Sequence, residues 1–333
     1  MNQTSQMVQV AQELNDFDCW YSQLFPNSIL ESWVVKNTNW VNNTVVAGHF
    51  KVSSEKFLKD RGLNLDYEAK LNHYDLVVYC SELIRNKRLM KNKTVWVQEG
   101  MTDKFTWVSK LIKASRIIPP YLTLDTSLNG SCNFCDIYCV GSNGYKDLFS
   151  QRGTDKSKII VTGIPNFDNA RNYLNNNFPH KGYVLVATTD MRETFRKDDR
   201  IGFIGKAVNI ANGRPLIFKL HPNENRERAE AEIITHAPKG TLVFQQGSTN
   251  EMIANCDELI TQYSTVVYVG IALNKKVHSY FDVDELMNLA PIQNSGASAR
   301  NIAYICRNFV EFEGRKQDFI HSFHYNPQIQ EYA

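Results

Sequence analysis

Two short segments in the second half of the chain carry residue types suited to gripping an anion. The first is Phe218-Lys219-Leu220-His221-Pro222, an apolar run that ends in a lysine and a histidine. Pro222 stops the strand and fixes the turn that presents His221. The second is Leu259-Ile260-Thr261-Gln262-Tyr263-Ser264-Thr265-Val266, which ends in two adjacent hydroxyls and runs on into the apolar stretch Val266–Leu273. Read as a buried helix, that stretch puts Ser264 and Thr265 at a helix N-terminus, where free N–H groups and the dipole favour an anion. A donating His221 on a neighbouring strand, with Lys219 beside it, completes a clamp for a donor phosphate. Either segment alone reads equally well as a helix cap or a turn-supporting histidine. Together, at successive strand ends, they point to a binding site.

A third strand end, Ala187-Thr188-Thr189-Asp190-Met191-Arg192, offers Thr188, Thr189 and Arg192 as donor contacts, with Pro222 as a further neighbour. No GxGxxG or GxxxxGK[ST] occurs here, so neither a dinucleotide fingerprint nor a P-loop is expected. No HxxxH or Asp-x-Asp pair stands at a strand end, so no metal is expected. In the first half, Val95-Trp96-Val97 runs into Gln98-Glu99-Gly100. Glu99 at a strand end is placed to act as general base for an acceptor hydroxyl, with Gln98 and Gly100 on the acceptor side. The plain alternative is a loop carboxylate that caps the following helix.

These residues need strands to present them. Thr44–Ala47, Leu76–Cys80, Thr94–Gln98, Ile137–Val140 and Ile159–Thr162 are short, continuous apolar runs. So are Tyr183–Ala187, Leu216–Leu220, Leu242–Phe244, Glu258–Thr261 and Lys276–Ser279. Continuous rather than alternating runs indicate parallel strands buried on both faces. Helical patterns such as Asn143–Arg152, Arg200–Ala211 and Asn225–His236 lie between them, implying βαβ units and doubly wound sheets. The Asn-rich stretch Asn166–Lys181 has linker chemistry, with room for a short helix at Ala170–Leu174. Two Rossmann-like domains are expected, 1–165 for the acceptor and 166–333 for the donor, with the last residues able to pack back on the first.

A length of 333 residues favours two domains, and 43% apolar with 22% charged residues is ordinary globular composition. The net charge of +2 excludes a general nucleic-acid binder. Met1–Asp18 lacks the apolar core of a secretory signal, and no run reaches the ~18 apolar residues of a membrane span, so a cytoplasmic location is expected. Cys132, Cys135 and Cys139 form a CxxCxxxC cluster without a second knuckle, which reads as core cysteines rather than a metal site. Asp103–Arg116 reads as a basic amphipathic helix. Phe105, Trp107, Val108, Leu111, Ile112 and Ala114 lie on one side, and Lys110, Lys113 and Arg116 on the other. It suits either a packed helix with a solvated basic face or peripheral contact with the inner membrane surface.

An acidic-Gly motif, then His-Pro, then Ser-Ser/Thr is the motif order of bacterial sialyltransferases and Kdo transferases, which this chain resembles. The C-terminal half also resembles CDP-glycerol glycerophosphotransferases and capsule enzymes at Ile159–Asp168, Lys219–Pro222 and Leu259–Val266. The resemblance spans roughly Asp75 to Ile305 and implies a GT-B fold and a glycosyltransferase that is inverting and metal-independent. Its donor would be a nucleotide-activated sugar, with CMP-sugars such as Kdo or sialic acid favoured. Its acceptor would be a glycan or lipid-linked glycan in capsule or surface polysaccharide synthesis. It assigns Glu99 as base, His221 to the donor phosphate and departing nucleotide, and Ser264 and Thr265 to that phosphate. No cofactor is implied. Gln98 stands where a second carboxylate is usual, and Gln262 where the CDP-glycerol enzymes usually carry Asp. The alternatives are a glycerophosphotransferase or UDP-sugar 2-epimerase on the same fold, or a non-catalytic nucleotide-sugar-binding subunit.

Overall fold

A computed structural model describes residues 2–23, 49–84, 86, 88–115, 118–123, 125–192 and 197–325. The helices in chain order begin with α1 (Asn2–Gln12), α2 (His49–Lys59), α3 (Trp107–Ser115) and α4 (Asn143–Gln151). Next come α5 (Arg200–Ala211), α6 (Arg226–His236), α7 (Thr249–Asn255) and α8 (Val267–Ala272). The last are α9 (Val283–Leu289), α10 (Ser298–Glu311) and α11 (Phe319–Ser322). The chain divides into two units, Met1–Asp168 with Asn294–Ala333, and Asn169–Gln293. The expected linker is thus split at Asp168, and its Ala170–Leu174 stretch forms a 3-10 turn.

In the first unit β1 (Leu76–Tyr79), β2 (Lys93–Val97), β3 (Ile137–Val140) and β4 (Ile159–Val161) pair in parallel, in the order β1-β2-β3-β4. The expected strand Thr44–Ala47 lies outside the described residues. Alternation along the strands sends Val95, Val97, Ile137 and Cys139 to one face, where Ile302, Ile305 and Phe309 of α10 and Val10 of α1 cover them. Trp96 and Tyr138 face the other way. Trp96 meets the Phe149 ring of α4 edge-on, with centroids 5.4 Å apart. Burial on both faces is why these strands read as unbroken apolar runs.

The return of the chain is anchored at the point where it left. Asn294 N–H donates to the Asp168 carbonyl at 3.0 Å, and Ser298 N–H to Asp168 Oδ2 at 2.9 Å. Cys135 and Cys139 are buried, and all seven cysteines are free. The loop that carries Cys132 is held by Glu82, a buried carboxylate that accepts from Cys132 N–H at 2.6 Å and from the Tyr138 hydroxyl at 2.6 Å. Burial pushes the Glu82 carboxyl above its usual range.

The second unit is a parallel sheet in the order β7-β6-β5-β8-β9. Its strands are β5 (Val184–Ala187), β6 (Leu216–Lys219), β7 (Leu242–Phe244), β8 (Glu258–Thr261) and β9 (Lys276–His278). The chain starts at the central β5, builds outward through β6 and β7, then crosses to β8 on the other side. That reversal opens a crevice at the carboxyl ends of β5 and β8, where sheets of this kind take ligands. Phe203, Ile204 and Ala207 of α5 pack on Val184, Val186, Phe218 and Ile260. Asp199 caps α5, its Oδ1 accepting from Gly202 N–H at 3.1 Å.

The amphipathic segment Asp103–Arg116 folds differently from its helical wheel. Helix α3 buries Ser109 and Ile112 and leaves Trp107 and Leu111 exposed. Ser109 belongs inside because its hydroxyl pairs with that of Ser127 at 2.8 Å. Lys113 is not on a solvated basic face, because its ammonium donates to the carbonyls of Ser131, at 2.6 Å, and of Arg152. Arg116 lies outside the described residues. Among the described residues, no helix is long and apolar enough to cross a membrane.

Candidate functional site

The carboxyl ends of β5, β6 and β8 converge on one buried ionic network. Thr188 follows β5, and its hydroxyl donates to the Glu224 carboxylate. His221 follows β6, and its N–H is shared between Thr188 Oγ1, at 3.1 Å, and Glu224 Oε2, at 2.9 Å. Arg200, the first residue of α5, donates from Nη2 to Glu224 and from Nε to Asp198 Oδ2 at 3.2 Å. Gln262 follows β8, and its Nε2 donates to Asp198 Oδ1 at 2.9 Å. Arg192 reaches the same Asp198 carboxylate at 3.2 Å and donates to Glu232 at 2.7 Å. Asp198, Arg200 and Glu224 went unmarked in the sequence, where Arg200 only opens the helical pattern Arg200–Ala211. The available signal was a charge cluster leading directly into an apolar helix.

Several polar atoms in this network and next to it in the sequence lack partners among the described residues. Arg200 Nη1, Thr189 Oγ1, Thr261 Oγ1 and Gln262 Oε1 are buried and make no hydrogen bond among the described residues. Buried polar groups are almost always paired, because an unpaired one loses its water without replacement. Arg200 and Gln262 belong to the network, while Thr189 follows β5 and Thr261 ends β8 in the same sheet.

The His221 ring is part-exposed. Its Nδ1 accepts from Asn223 N–H at 3.3 Å and lies 3.5 Å from Asp190 Oδ2. An accepting Nδ1 assigns the proton of the neutral ring to Nε2, which is then a donor. Ser264 and Thr265 follow β8, which is not adjacent to β6 as the sequence reading had it. Strand β5 stands between, so the two ends are roughly 10 Å apart, two strand spacings, with Thr188 and Thr189 filling the gap. Helix α8 is also only six residues long and starts at Val267, so its dipole is weaker than a helix over Val266–Leu273 would give. Lys219 turns away from the phosphate role expected of it. It is buried, and its ammonium donates to the carbonyls of Gln245, at 2.8 Å, and Leu220, at 3.1 Å. Burial also pushes that ammonium below the usual lysine range. Pro222 is exposed just beyond His221.

In the first unit, Gln98, Glu99 and Gly100 follow β2. Gln98 is committed to the fold. Its Nε2 donates to the Gly100 carbonyl at 2.9 Å, and its Oε1 accepts from Gly141 N–H at 2.8 Å. An amide so engaged and buried shapes the turn and is shielded from a substrate. Gly100 is buried and makes the turn without a left-handed φ. Glu99 does not cap the next helix. Its carboxylate accepts from Gln3 Nε2 at 2.6 Å, and burial pushes its pKa above the usual carboxylate range. A carboxylate held up in this way is a stronger base once deprotonated.

Among the described residues, no group of three or more His, Cys, Asp or Glu is placed to hold a metal ion. A cavity of about 300 Å³ lies at the opposite, amino end of the second sheet, lined by His180, Tyr183, Pro215 and Leu242 among others.

No protein-family model matches the sequence, and no curated protein matches it. Solved structures do match. The Staphylococcus aureus protein MnaA, solved with UDP, aligns over 93% of this chain and 94% of its own at 10% identity, with a TM-score of 0.57. The UDP-GlcNAc 2-epimerase from Neisseria meningitidis, solved with UDP-GlcNAc, aligns over 92% and 96% at 10% identity, with a TM-score of 0.51. The fold is of the GT-B type, two Rossmann-like α/β domains. The wall teichoic acid polymerase TagF, in an H444N variant, aligns over 75% of this chain and 77% of its own at 11% identity, with a TM-score of 0.46.

Proposed function

We propose that the chain is a nucleotide-sugar enzyme that holds its donor at the carboxyl ends of β5, β6 and β8. The observation that carries this reading is the group of orphaned polar atoms there. Among the described residues, Arg200 Nη1 and Thr189 Oγ1 are buried donors without acceptors, and the oxygens of a bound diphosphate would satisfy both. His221 Nε2 adds a third donor from the β6 side, and the Ser264 and Thr265 hydroxyls add two from the β8 side. The roughly 10 Å between those two sides suits a diphosphate lying across β5 better than a single small anion. Salt bridges to Asp198 and Glu224 hold the Arg200 guanidinium fixed, so it reorganises little as charge builds on the leaving phosphate.

The reaction we assign is transfer of the sugar to a glycan acceptor, with inversion. Glu99 takes the proton from the acceptor hydroxyl. The bond from the anomeric carbon to phosphate oxygen breaks as the new glycosidic bond forms, and the electron pair leaves on the phosphate, where His221, Arg200 and the hydroxyls stabilise it. The order of the acidic, His-Pro and Ser-Thr motifs favours CMP-sugars, but these carry a single phosphate, so the spacing across β5 supports a nucleoside-diphosphate donor ahead of them. A second reading is favoured by the near full-length alignments: epimerisation of UDP-GlcNAc at C2, the reaction named for the Neisseria enzyme.

The test is a thermal-shift screen against CMP, CDP, UDP and GDP. Each matching sugar nucleotide, and CDP-glycerol, is then incubated with and without acceptor. One nucleotide should raise the melting temperature, and its sugar should be consumed only with acceptor present. Conversion of UDP-GlcNAc without acceptor would establish the epimerase instead. Turnover of CDP-glycerol would establish a glycerophosphotransferase. Binding without any turnover would make the chain a non-catalytic nucleotide-sugar-binding subunit, and no shift with any nucleotide would remove the site.

A further inference from the structure

Helix α3 and the turn after it carry a surface that the donor site does not explain. Trp107 is 72% exposed, Leu111 60%, Ile118 42% and Leu122 49%. Trp107 and Leu111 are one helical turn apart on the outward side of α3. The 3-10 turn Pro120–Thr123, which holds Leu122, packs beside the same helix. Single exposed apolar residues are ordinary, but four large ones within sixteen positions form a marked surface.

Charge identifies what covers it. From Lys104 to Leu122 the sequence has Lys104, Lys110, Lys113 and Arg116 and no acidic residue. Lys104 and Lys110 are exposed, while Lys113 is tied down. The carboxylates that flank the stretch are part-exposed and engaged in local hydrogen bonds. Asp103 Oδ2 accepts from Thr126 N–H at 2.9 Å, and Asp125 Oδ1 from Ser127 N–H at 2.9 Å. An indole, aliphatic side chains and lysines with no exposed acid among them match the headgroup boundary of an anionic bilayer. Phe105 is not part of this surface, because the Arg152 guanidinium lies 5.7 Å above its ring.

We propose that the first unit docks on an anionic lipid surface through Trp107, Leu111, Ile118 and Leu122, with Lys104 and Lys110 facing the headgroups. The apolar side chains enter the boundary region, and the lysines supply the preference for negative lipid. The surface begins a few residues after Glu99 on the same loop, so docking would bring the bilayer close to the carboxylate assigned to the acceptor. The docking itself does not depend on that assignment.

The experiment is co-sedimentation of the full chain with vesicles of phosphatidylcholine and phosphatidylglycerol (3:1), and with phosphatidylcholine alone. Binding should favour the anionic vesicles, weaken with added salt, and shift tryptophan emission to the blue. Trp107→Ala/Leu111→Ala should bind on the order of tenfold or more weakly and lose the blue shift, with its melting temperature close to wild type because both positions are exposed. Lys104→Glu/Lys110→Glu should remove the preference for anionic lipid. Absence of vesicle binding, or equal binding by the Trp107/Leu111 variant, would overturn the proposal. So would a wild-type dimer that this variant converts to monomer, which would make the surface an interface between copies of the chain.

Discussion

Gln262 Nε2 donates to Asp198 Oδ1 at 2.9 Å, joining the end of β8 to the loop ahead of α5 across 64 residues of chain. The amide is what the site requires. A carboxylate at 262 would face Asp198 with like charge in a buried setting, and the pair would share a proton. Gln262→Asp should therefore raise one carboxyl pKa in the folded state above its unfolded value. The cost is small at low pH, where the proton stays bound, and grows as pH rises through the raised pKa. Melting temperatures of the variant and wild type should diverge as pH rises above the ordinary carboxylate range. A constant difference over that rise would show that the two side chains do not share a proton.

Arg200 separates stability from binding. Arg200→Met leaves Asp198 and Glu224 buried with less cation, so stability should fall by about 3–5 kcal/mol in urea unfolding. Arg200→Lys keeps the charge but loses the fork and the free Nη1 donor. It should fold better than Arg200→Met and still lose most of the nucleotide-induced thermal shift. An unchanged shift in Arg200→Lys would take Nη1 out of the donor site.

His221→Ala should leave the melting temperature within about 2 °C of wild type, because the ring is part-exposed. Turnover should fall at least about 10²-fold, the usual scale for removing a donor to a developing anion. A large loss of stability at normal specific activity would assign His221 to the turn and not to the chemistry.

Much of this was legible in the sequence, and the reason is burial. Strand β3 coincides with its apolar run, since a strand covered on both faces has no polar positions to blur its ends; β7 and β8 also match their expected ranges, although β7 is part-exposed and β8 starts at Glu258 and ends at Thr261. Strand order is not written in such runs, so the place of β5 between the His221 and Ser264 ends could not be read. The Arg200 network escaped because a charged run looks the same whether it is solvated or neutralised inside. Helix α3 shows the limit of a helical wheel. The wheel separates two faces but does not say which one is covered, and the Ser109–Ser127 contact that decides it joins residues on different elements.

Glu99→Gln should retain the nucleotide thermal shift and lose transfer by about 10²–10⁴-fold, the usual worth of a general base. Burial raises the Glu99 pKa, so the acid limb of the wild-type rate profile should lie above the ordinary carboxylate range, with activity rising as pH rises through it. Transfer within a few-fold of wild type at saturating substrates would exclude Glu99, leaving Asp103 or Asp125 to be tested next.

Gly130 has φ of 77°, and a Cβ there would meet the Trp96 ring at 2.7 Å and Phe149 at 2.8 Å. Gly130→Ala combines left-handed strain with overpacking against a buried ring and should cost about 2–3 kcal/mol. A chemical denaturation midpoint within error of wild type would mean that the Trp96 layer can shift to admit a methyl group.

The second unit is an insertion in the first, and this orders events on the ribosome. Residues Asn169–Gln293 emerge as one uninterrupted block. The block's two ends meet, since Ala170 N–H donates to Gln293 Oε1 at 3.0 Å. The sheet of the second unit can therefore close while α10 is still being translated. The other sheet cannot, because Ile302, Ile305 and Phe309, which seal one of its faces, are made after that block. Until then Val95, Val97 and Ile137 stand open to water, and a nascent chain stalled before α10 should be the species most in need of a chaperone.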